Sequence, residues 1–207
     1  MLDSADTALI VIDVQNDFCP NGRLAVAGGD EIIPSINQMI SRAATTLLTQ
    51  DWHPATHQSF ASMHSGKSAF EMIEMPYGEQ VLWPDHCVMD SDGAAFHPEL
   101  NSAAAQAVIR KGFRAEIDSY SAFFENDHQT VTGLDGYLQS RNLKRLVLCG
   151  LATDFCVAFS ALDAARLGYE VHVVLGACKA IDLDGSLKAQ LGAMQQAGIE
   201  LHQTAQI

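Results

Sequence analysis

A parallel α/β sheet with helices on both faces is the fold class this sequence predicts. Short, almost wholly apolar runs read as strands buried on both sides. Segments with helical spacing of apolar residues lie between them, and the two kinds mostly alternate over 207 residues. That length suits a single domain, 1–207, with a sizeable core. Residues 7–14 (TALIVIDV) are the first strand, and Asp13 is the anomaly near its carboxyl end. A carboxylate there costs free energy unless it is paired or working. Open α/β sheets also place their working crevice at the carboxyl ends of strands. Residues 15–22 read as a loop turning at Asn21-Gly22. Ile32, Ile33, Ile36, Met39 and Ile40 predict an amphipathic helix within 30–44, with Pro34 in its first turn. Residues 45–50 form the next strand, which ends in Asp51-Trp52-His53-Pro54.

Residues 61–96 have weak periodicity and are broken by Gly66, Pro76, Gly78, Pro84 and Gly93, so they read as mostly loop with short helices. A loop that long in a compact domain is often functional. A short helix is expected within the alanine-rich 99–108, a strand at 108–112, an aromatic loop or helical turn at 118–124, and a helix at 136–140. The strand at 145–150 leads into the helix carrying Cys156. A further strand covers 169–175, with Ala177, Cys178 and Lys179 beyond its end. Leu187, Leu191 and Met194 line one side of a helix at 186–196, and 199–201 adds a last strand.

The formal charge is −13 and no Lys/Arg-rich run interrupts it, which argues against binding nucleic acid or an anionic membrane surface. No basic segment leads into an apolar one at the amino terminus, and no apolar run approaches the roughly 18 residues of a membrane span. Five cysteines, an odd number without a CxxC pair, fit reduced thiols in a cytoplasmic protein.

Residues 147–157 (VLCGLATDFCV) run from a buried strand through Gly150 into helical spacing at Ala158, Ala161, Leu162 and Ala165. Thr153 or Asp154 is the expected N-cap, which puts Cys156 in the first turn, where free N–H groups and the helix dipole favour a thiolate. The plainer reading is a buried structural cysteine. Asp13, Lys111 and Cys156 all fall at or just beyond carboxyl ends of expected strands, so one crevice could gather them. Asp13 would take and return the thiol proton while Lys111 steadies both charges. A buried Asp13–Lys111 salt bridge is the structural alternative. Asp51 and His53, two apart in extended chain, point the same way, and His86 could close a metal site from another loop. An Asp/His/His set with water suits Zn2+, Fe2+ or Mn2+. Metal-free carboxylate–imidazole hydrogen bonding is the alternative. His57 could be a fourth ligand, a hydrogen-bonding support or polar packing.

The segments 12–18 (IDVQNDF), 51–54 (DWHP) continuing to His57 and Ser59-Phe60, 83–88 (WPDHCV), Lys111-Gly112, 120–123 (YSAF) and 150–157 (GLATDFCV) occur in this order. Together they resemble the nicotinamidase/pyrazinamidase group of the isochorismatase-like cysteine hydrolases over nearly the whole chain. The resemblance implies the isochorismatase-like hydrolase fold, a three-layer α/β/α arrangement around a six-stranded parallel sheet. It implies hydrolysis of nicotinamide to nicotinate and ammonia through a cysteine thioester, with pyrazinamide as a further substrate. Asp13, Lys111 and Cys156 match the catalytic triad. Asp51, His53 and His86 match the ligands of one divalent metal that holds the pyridine nitrogen, Zn2+ first, with Fe2+ or Mn2+ as alternatives. His57 matches a position that ligates in some members and not in others. Leu151-Ala152 matches a cis peptide bond, the backbone N–H groups of Ala152 and Cys156 match an oxyanion hole, and Phe18, Trp83 and Tyr120 match aromatic walls of the ring pocket. Two other readings remain: a cysteine hydrolase of another small amide or carbamoyl compound, and a non-catalytic small-molecule-binding relative. The sequence leaves room for a homo-oligomer.

Overall fold

The structure, a computed structural model, describes residues 1–206. Along the chain come β1 (Thr7–Ile12), α1 (Ile33–Ile40), β2 (Thr46–Asp51), β3 (Met72–Met75), β4 (Gly78–Val81) and β5 (Ala107–Lys111). They are followed by α2 (Leu134–Ser140), β6 (Arg145–Leu151), α3 (Ala158–Arg166), β7 (Glu170–Lys179), α4 (Ser186–Gln196) and β8 (Glu200–His202). Six strands form one parallel sheet in the order β5-β2-β1-β6-β7-β8, flanked by helices. Every residue of β1 and β2 is buried, as is β6 beyond Arg145. This is why these strands read as continuous apolar runs rather than as alternation.

The order of the strands positions the site. From β1 the chain steps outward to β2 and β5, then returns to the other side of β1 for β6, β7 and β8. The reversal between β1 and β6 is a topological switch point, and a crevice opens at the carboxyl ends on either side of it. Ile12 and Gly150 are register partners across this seam. Gly150 has φ +120°, and a Cβ there would collide with the Ile12 carbonyl oxygen.

Several expectations need correction. The stretch 61–96 contains the antiparallel β3–β4 hairpin, which its sequence hides because the strands are four residues long and only partly buried. The helix expected in 99–108 is one 3-10 turn, Ser102–Ala104, before β5 takes over. The helix in 30–44 is confined to Ile33–Ile40, with Pro34 in its first turn as expected. β7 runs on to Lys179: after an irregularity in register it pairs again as Gly150 with Cys178 and Leu151 with Lys179. Ala177, Cys178 and Lys179 therefore lie within the strand.

Neither Thr153 nor Asp154 caps the Cys156 helix. The segment Thr153–Val157 is a wide π-type turn that joins α3 without a side-chain cap. Asp154 instead accepts from the Ile181 and Asp182 backbone N–H groups at 3.0 and 2.7 Å and from Ser186 Oγ at 2.5 Å. It anchors the start of α4 to the turn that carries Cys156.

Gly150→Ala must strain a left-handed backbone and push apart the two central strands. The expected loss of stability is about 2–4 kcal/mol, read as a lower urea midpoint with the denaturant slope unchanged.

Candidate active site

Four adjacent strands deliver four reactive side chains in the order in which the strands lie. Lys111 ends β5, Asp51 ends β2, Asp13 follows β1, and Cys156 sits in the turn after β6. Asp51 and Lys111 are register partners. The Lys111 ammonium touches both carboxylates, at 2.9 Å to Asp13 Oδ2 and in a close contact with Asp51 Oδ1. It also donates to the Ser119 carbonyl at 2.8 Å and lies 3.4 Å from Cys156 Sγ. A carboxylate oxygen of Asp13, one of Asp51 and the Cys156 sulfur lie within 4.8 Å of one another. The other Asp13 oxygen accepts from Thr49 Oγ1 at 2.6 Å, and Thr49 Oγ1 accepts from the Asp13 N–H at 3.1 Å. The three residues expected to act together are thus together.

Burial governs their protonation. It pushes the Cys156 thiol well above the ordinary thiol range, and the Lys111 ammonium pulls the other way without overcoming it. Burial likewise raises Asp13 against the pull of Lys111. For Lys111 burial disfavours the charge, but Asp13 and Asp51 override it and its pKa is raised well above the usual value. The resting cluster therefore holds a fixed ammonium beside a thiol and a carboxyl group of raised proton affinity, not a preformed free thiolate.

Asp51, His53 and His86 converge into a group that could hold a metal ion. Asp51 Oδ2 lies 3.6 Å from His53 Nε2 and 3.8 Å from His86 Nε2. The opposite ring nitrogens face backbone carbonyls: His53 Nδ1 is 2.8 Å from the Gly112 oxygen and His86 Nδ1 is 2.8 Å from the Pro84 oxygen. A carbonyl can only accept, so each neutral ring carries its proton on Nδ1 and presents a lone pair on Nε2. Burial, with His53 nearby, lowers His86 to about 4, which keeps it a neutral donor. Two imidazole nitrogens and a carboxylate oxygen converging in this way fit a divalent metal ion. Gly112 is required by this arrangement: it has φ +65°, and a Cβ would strike the His53 ring.

His57 does not join this set. Its Nδ1 faces Ser59 Oγ at 2.7 Å and accepts from the Ser59 N–H at 3.3 Å, so the proton sits on Nε2 and is donated to the Ile117 carbonyl at 3.2 Å. With both nitrogens committed, the ring supports His53 by packing, with centroids 4.3 Å apart.

A narrow cleft opens over Cys156, and Phe18, Trp83, Tyr120, Ala152, Asp51 and His86 all line it. The Leu151–Ala152 peptide is cis. Four lining residues escaped the sequence: Leu24, Asp118, Phe155 and Ile181. Phe155 packs edge-on against Trp83 at 4.9 Å and Tyr120 at 5.5 Å; its place beside Cys156 in the turn was the available signal. Asp118 is held by Gln80 Nε2 at 2.9 Å, and Gln80 also donates to Tyr120 Oη at 2.9 Å. The hairpin that supplies Gln80 was not legible, so neither was this network. Gln15 clamps the Asp51 backbone from both sides, donating to its carbonyl and accepting from its N–H at 2.8 Å each. Asp17 accepts from the Cys87 N–H at 2.7 Å and so ties the His86 loop to the loop after β1.

Fold and cleft together define a small-molecule hydrolase built on a parallel α/β sheet. The chain matches the Isochorismatase domain over residues 7–206, and it belongs to that family. A nicotinamidase of Acinetobacter baylyi is 52% identical over 200 residues, covering 97% of this chain and 94% of the relative. The solved structure titled Acinetobacter baumanii nicotinamidase pyrazinamidease is 53% identical, with a TM-score of 0.96, and covers 98% of this chain and 97% of that one. A pyrazinamidase of Pyrococcus horikoshii solved in complex with zinc is 34% identical, with a TM-score of 0.78, covering 96% and 99%.

Lys111→Met leaves two buried carboxylates without their ammonium. It is expected to cost about 3–5 kcal/mol, measured by urea unfolding. Adding Asp13→Asn to the same chain should recover part of the loss, since one uncompensated charge is then gone.

Proposed function

We propose that this chain is a nicotinamidase, hydrolysing nicotinamide to nicotinate and ammonia and accepting pyrazinamide, with a role in nicotinamide salvage in the cytoplasm and with 1–207 as one domain. The observation that carries this reading is the joint presence, around one aromatic cleft, of a thiol–ammonium–carboxylate cluster and an Asp/His/His metal set. The nicotinamidase and pyrazinamidase relatives support it.

Asp13, Lys111 and Cys156 act as the catalytic triad. Phe18, Trp83 and Tyr120 clasp the flat ring and hold the carboxamide carbon over Cys156 Sγ, which supplies the orientation that makes attack effectively intramolecular. Asp51, His53 and His86 hold the metal, and zinc is favoured over iron(II) or manganese(II) by the zinc-bound pyrazinamidase relative. When bound, the ion supplies a Lewis-acid anchor for the ring nitrogen. Asp13 takes the Cys156 proton as sulfur bonds to the carbonyl carbon. Negative charge on the oxygen is met by the backbone N–H groups of Ala152 and Cys156. Asp13 then delivers its proton to the nitrogen as the C–N bond breaks, releasing ammonia and leaving a thioester. Water attacks the thioester carbon while Asp13 takes a proton from it. The C–S bond breaks, the proton on Asp13 returns to sulfur, and the product leaves as nicotinic acid, which ionises to nicotinate in water. Lys111 keeps its charge throughout and offsets whichever neighbour is anionic.

Cys156→Ala should lower ammonia release from nicotinamide by about a thousandfold or more and abolish the acyl-enzyme mass adduct seen on rapid acid quenching. Normal turnover in that variant would rule out covalent catalysis at this residue. Asp51→Ala should lose bound metal and activity together, and chelation of the unaltered protein should remove activity that added zinc restores. Retention of full metal content in Asp51→Ala would remove Asp51 from the ligand set.

A further inference from the structure

We propose a second divalent-metal site, of the zinc type, formed by His172 on β7 with Glu200 and His202 on β8. It lies at the other end of the sheet from the cleft. The cleft opens beyond the carboxyl ends of the strands, whereas Glu170 and His172 stand at the amino end of β7. Parallel pairing sets His172 opposite Glu200 and Val174 opposite His202. Residues two apart in a strand share a face, so Glu200 and His202 flank His172 on the same side of the sheet.

The three donor atoms already form a coordination-sized triangle. His172 Nδ1 lies 3.0 Å from His202 Nε2 and 3.4 Å from Glu200 Oε2, and His202 Nε2 lies 3.8 Å from Glu200 Oε2. Four bonds of about 2.0–2.1 Å at tetrahedral angles separate neighbouring donors by about 3.3 Å. The triangle brackets that spacing, and water can complete the shell.

The supporting shell is also built. His172 Nε2 lies 3.0 Å from Glu170 Oε1, and Arg145 grips both oxygens of Glu170 at 2.7 and 3.0 Å. Held by the Arg145 guanidinium on both oxygens, the Glu170 carboxylate accepts from His172. His172 Nε2 donates to it, and Nδ1 is the ring nitrogen that faces the triangle. A carboxylate that fixes the tautomer of a ligating histidine is the usual outer arrangement of a metal site. An imidazole–imidazole hydrogen bond alone would satisfy His172 and His202. It leaves the Glu200 carboxylate oxygen 3.4 Å from His172 Nδ1 and 3.8 Å from His202 Nε2. A divalent cation satisfies all three atoms. It would also fasten β8, a three-residue strand held by three register pairs, to the body of the sheet.

The test counts zinc at equilibrium. Chelator-stripped protein is dialysed against zinc chloride, and bound zinc per chain is measured for the unaltered sequence, His202→Ala and Glu200→Gln. His202→Ala is expected to hold one equivalent fewer than the unaltered chain, and Glu200→Gln to bind the second equivalent more weakly. Nicotinamide hydrolysis should be unchanged in both. Zinc beyond the first equivalent should raise the thermal midpoint of the unaltered chain and leave that of His202→Ala where it was. The one-equivalent difference should persist in an Asp51→Ala background, which separates this site from the cleft. Equal zinc content in the unaltered chain and both variants would overturn the proposal and leave an ordinary hydrogen-bonded histidine pair. Should His202→Ala fail to fold, equal zinc affinity in Glu200→Gln overturns it in the same way.

Discussion

The fold is arranged around one buried ammonium. Lys111 is wholly buried and holds Asp13, Asp51, the Ser119 carbonyl and the Cys156 sulfur in contact. Removing an ammonium from water costs several kcal/mol, and the cost is recovered only with good geometry and several partners. That demand fixes how the ends of β5, β2, β1 and β6 sit relative to one another. The charges do not balance, however: two carboxylates face one ammonium. The excess lies at Asp51 Oδ2, the oxygen that Lys111 does not hold and that faces Nε2 of His53 and of His86. The electrostatics that close the thiol cluster thus leave, one atom further along, a place that favours a cation. The two halves of the site share Asp51 and belong to a single charge arrangement.

What surrounds this cluster is rigid for physical reasons. Trp83, Tyr120 and Phe155 meet edge to face, an arrangement that aromatic quadrupoles prefer. Tyr120 Oη receives hydrogen bonds from both Gln80 Nε2 and Trp83 Nε1. Ser160 Oγ accepts from the Ala122 N–H at 2.8 Å and donates to the Cys156 carbonyl at 2.6 Å, which locks the Tyr120 loop to the turn that carries the sulfur. Such support fixes side chains that would otherwise lose orientation to loop motion.

Parts of this were legible in the sequence because they leave one-dimensional traces. Central strands buried on both faces give unbroken apolar runs, as in 7–12 and 146–151, and a charged residue just past such a run stands out, as Asp13 does. Asp51 and His53 were legible from their spacing. The hairpin was not: a two-stranded ribbon with one face exposed gives no strong period, and its consequence, Gln80 under Tyr120 and Asp118, was lost with it. The reach of β7 to Lys179 was hidden by Gly176, which reads as a breaker but sits where a Cβ would strike the Gln203 carbonyl. Asp154 has the composition of an N-cap, and only its distant partners on the 181–186 segment reveal that it serves another helix. For His57 the sequence left ligation, hydrogen-bonding support and polar packing all open. Which of its nitrogens carries the proton is decided by Ser59 and by Ile117, and the second of these is sixty residues away.

The five cysteines show most directly what long-range structure adds. All are buried and unpaired. Burial raises Cys19 to about 11 and Cys178 to about 12, and it drives Cys87, Cys149 and Cys156 well above the ordinary range. By burial alone none would be reactive, since a desolvated thiol resists ionisation. Cys156 differs in what stands beside it: an ammonium at 3.4 Å and a proton acceptor whose own affinity burial has raised. The same desolvation that silences the other four also raises the basicity of Asp13, so the thiol proton has a destination in the cluster and the resulting charge has Lys111 beside it. Ionisation of Cys156 is then a short internal proton transfer within a fixed charge field, which is why a low-dielectric pocket can host a nucleophile here and inert thiols elsewhere in the same core.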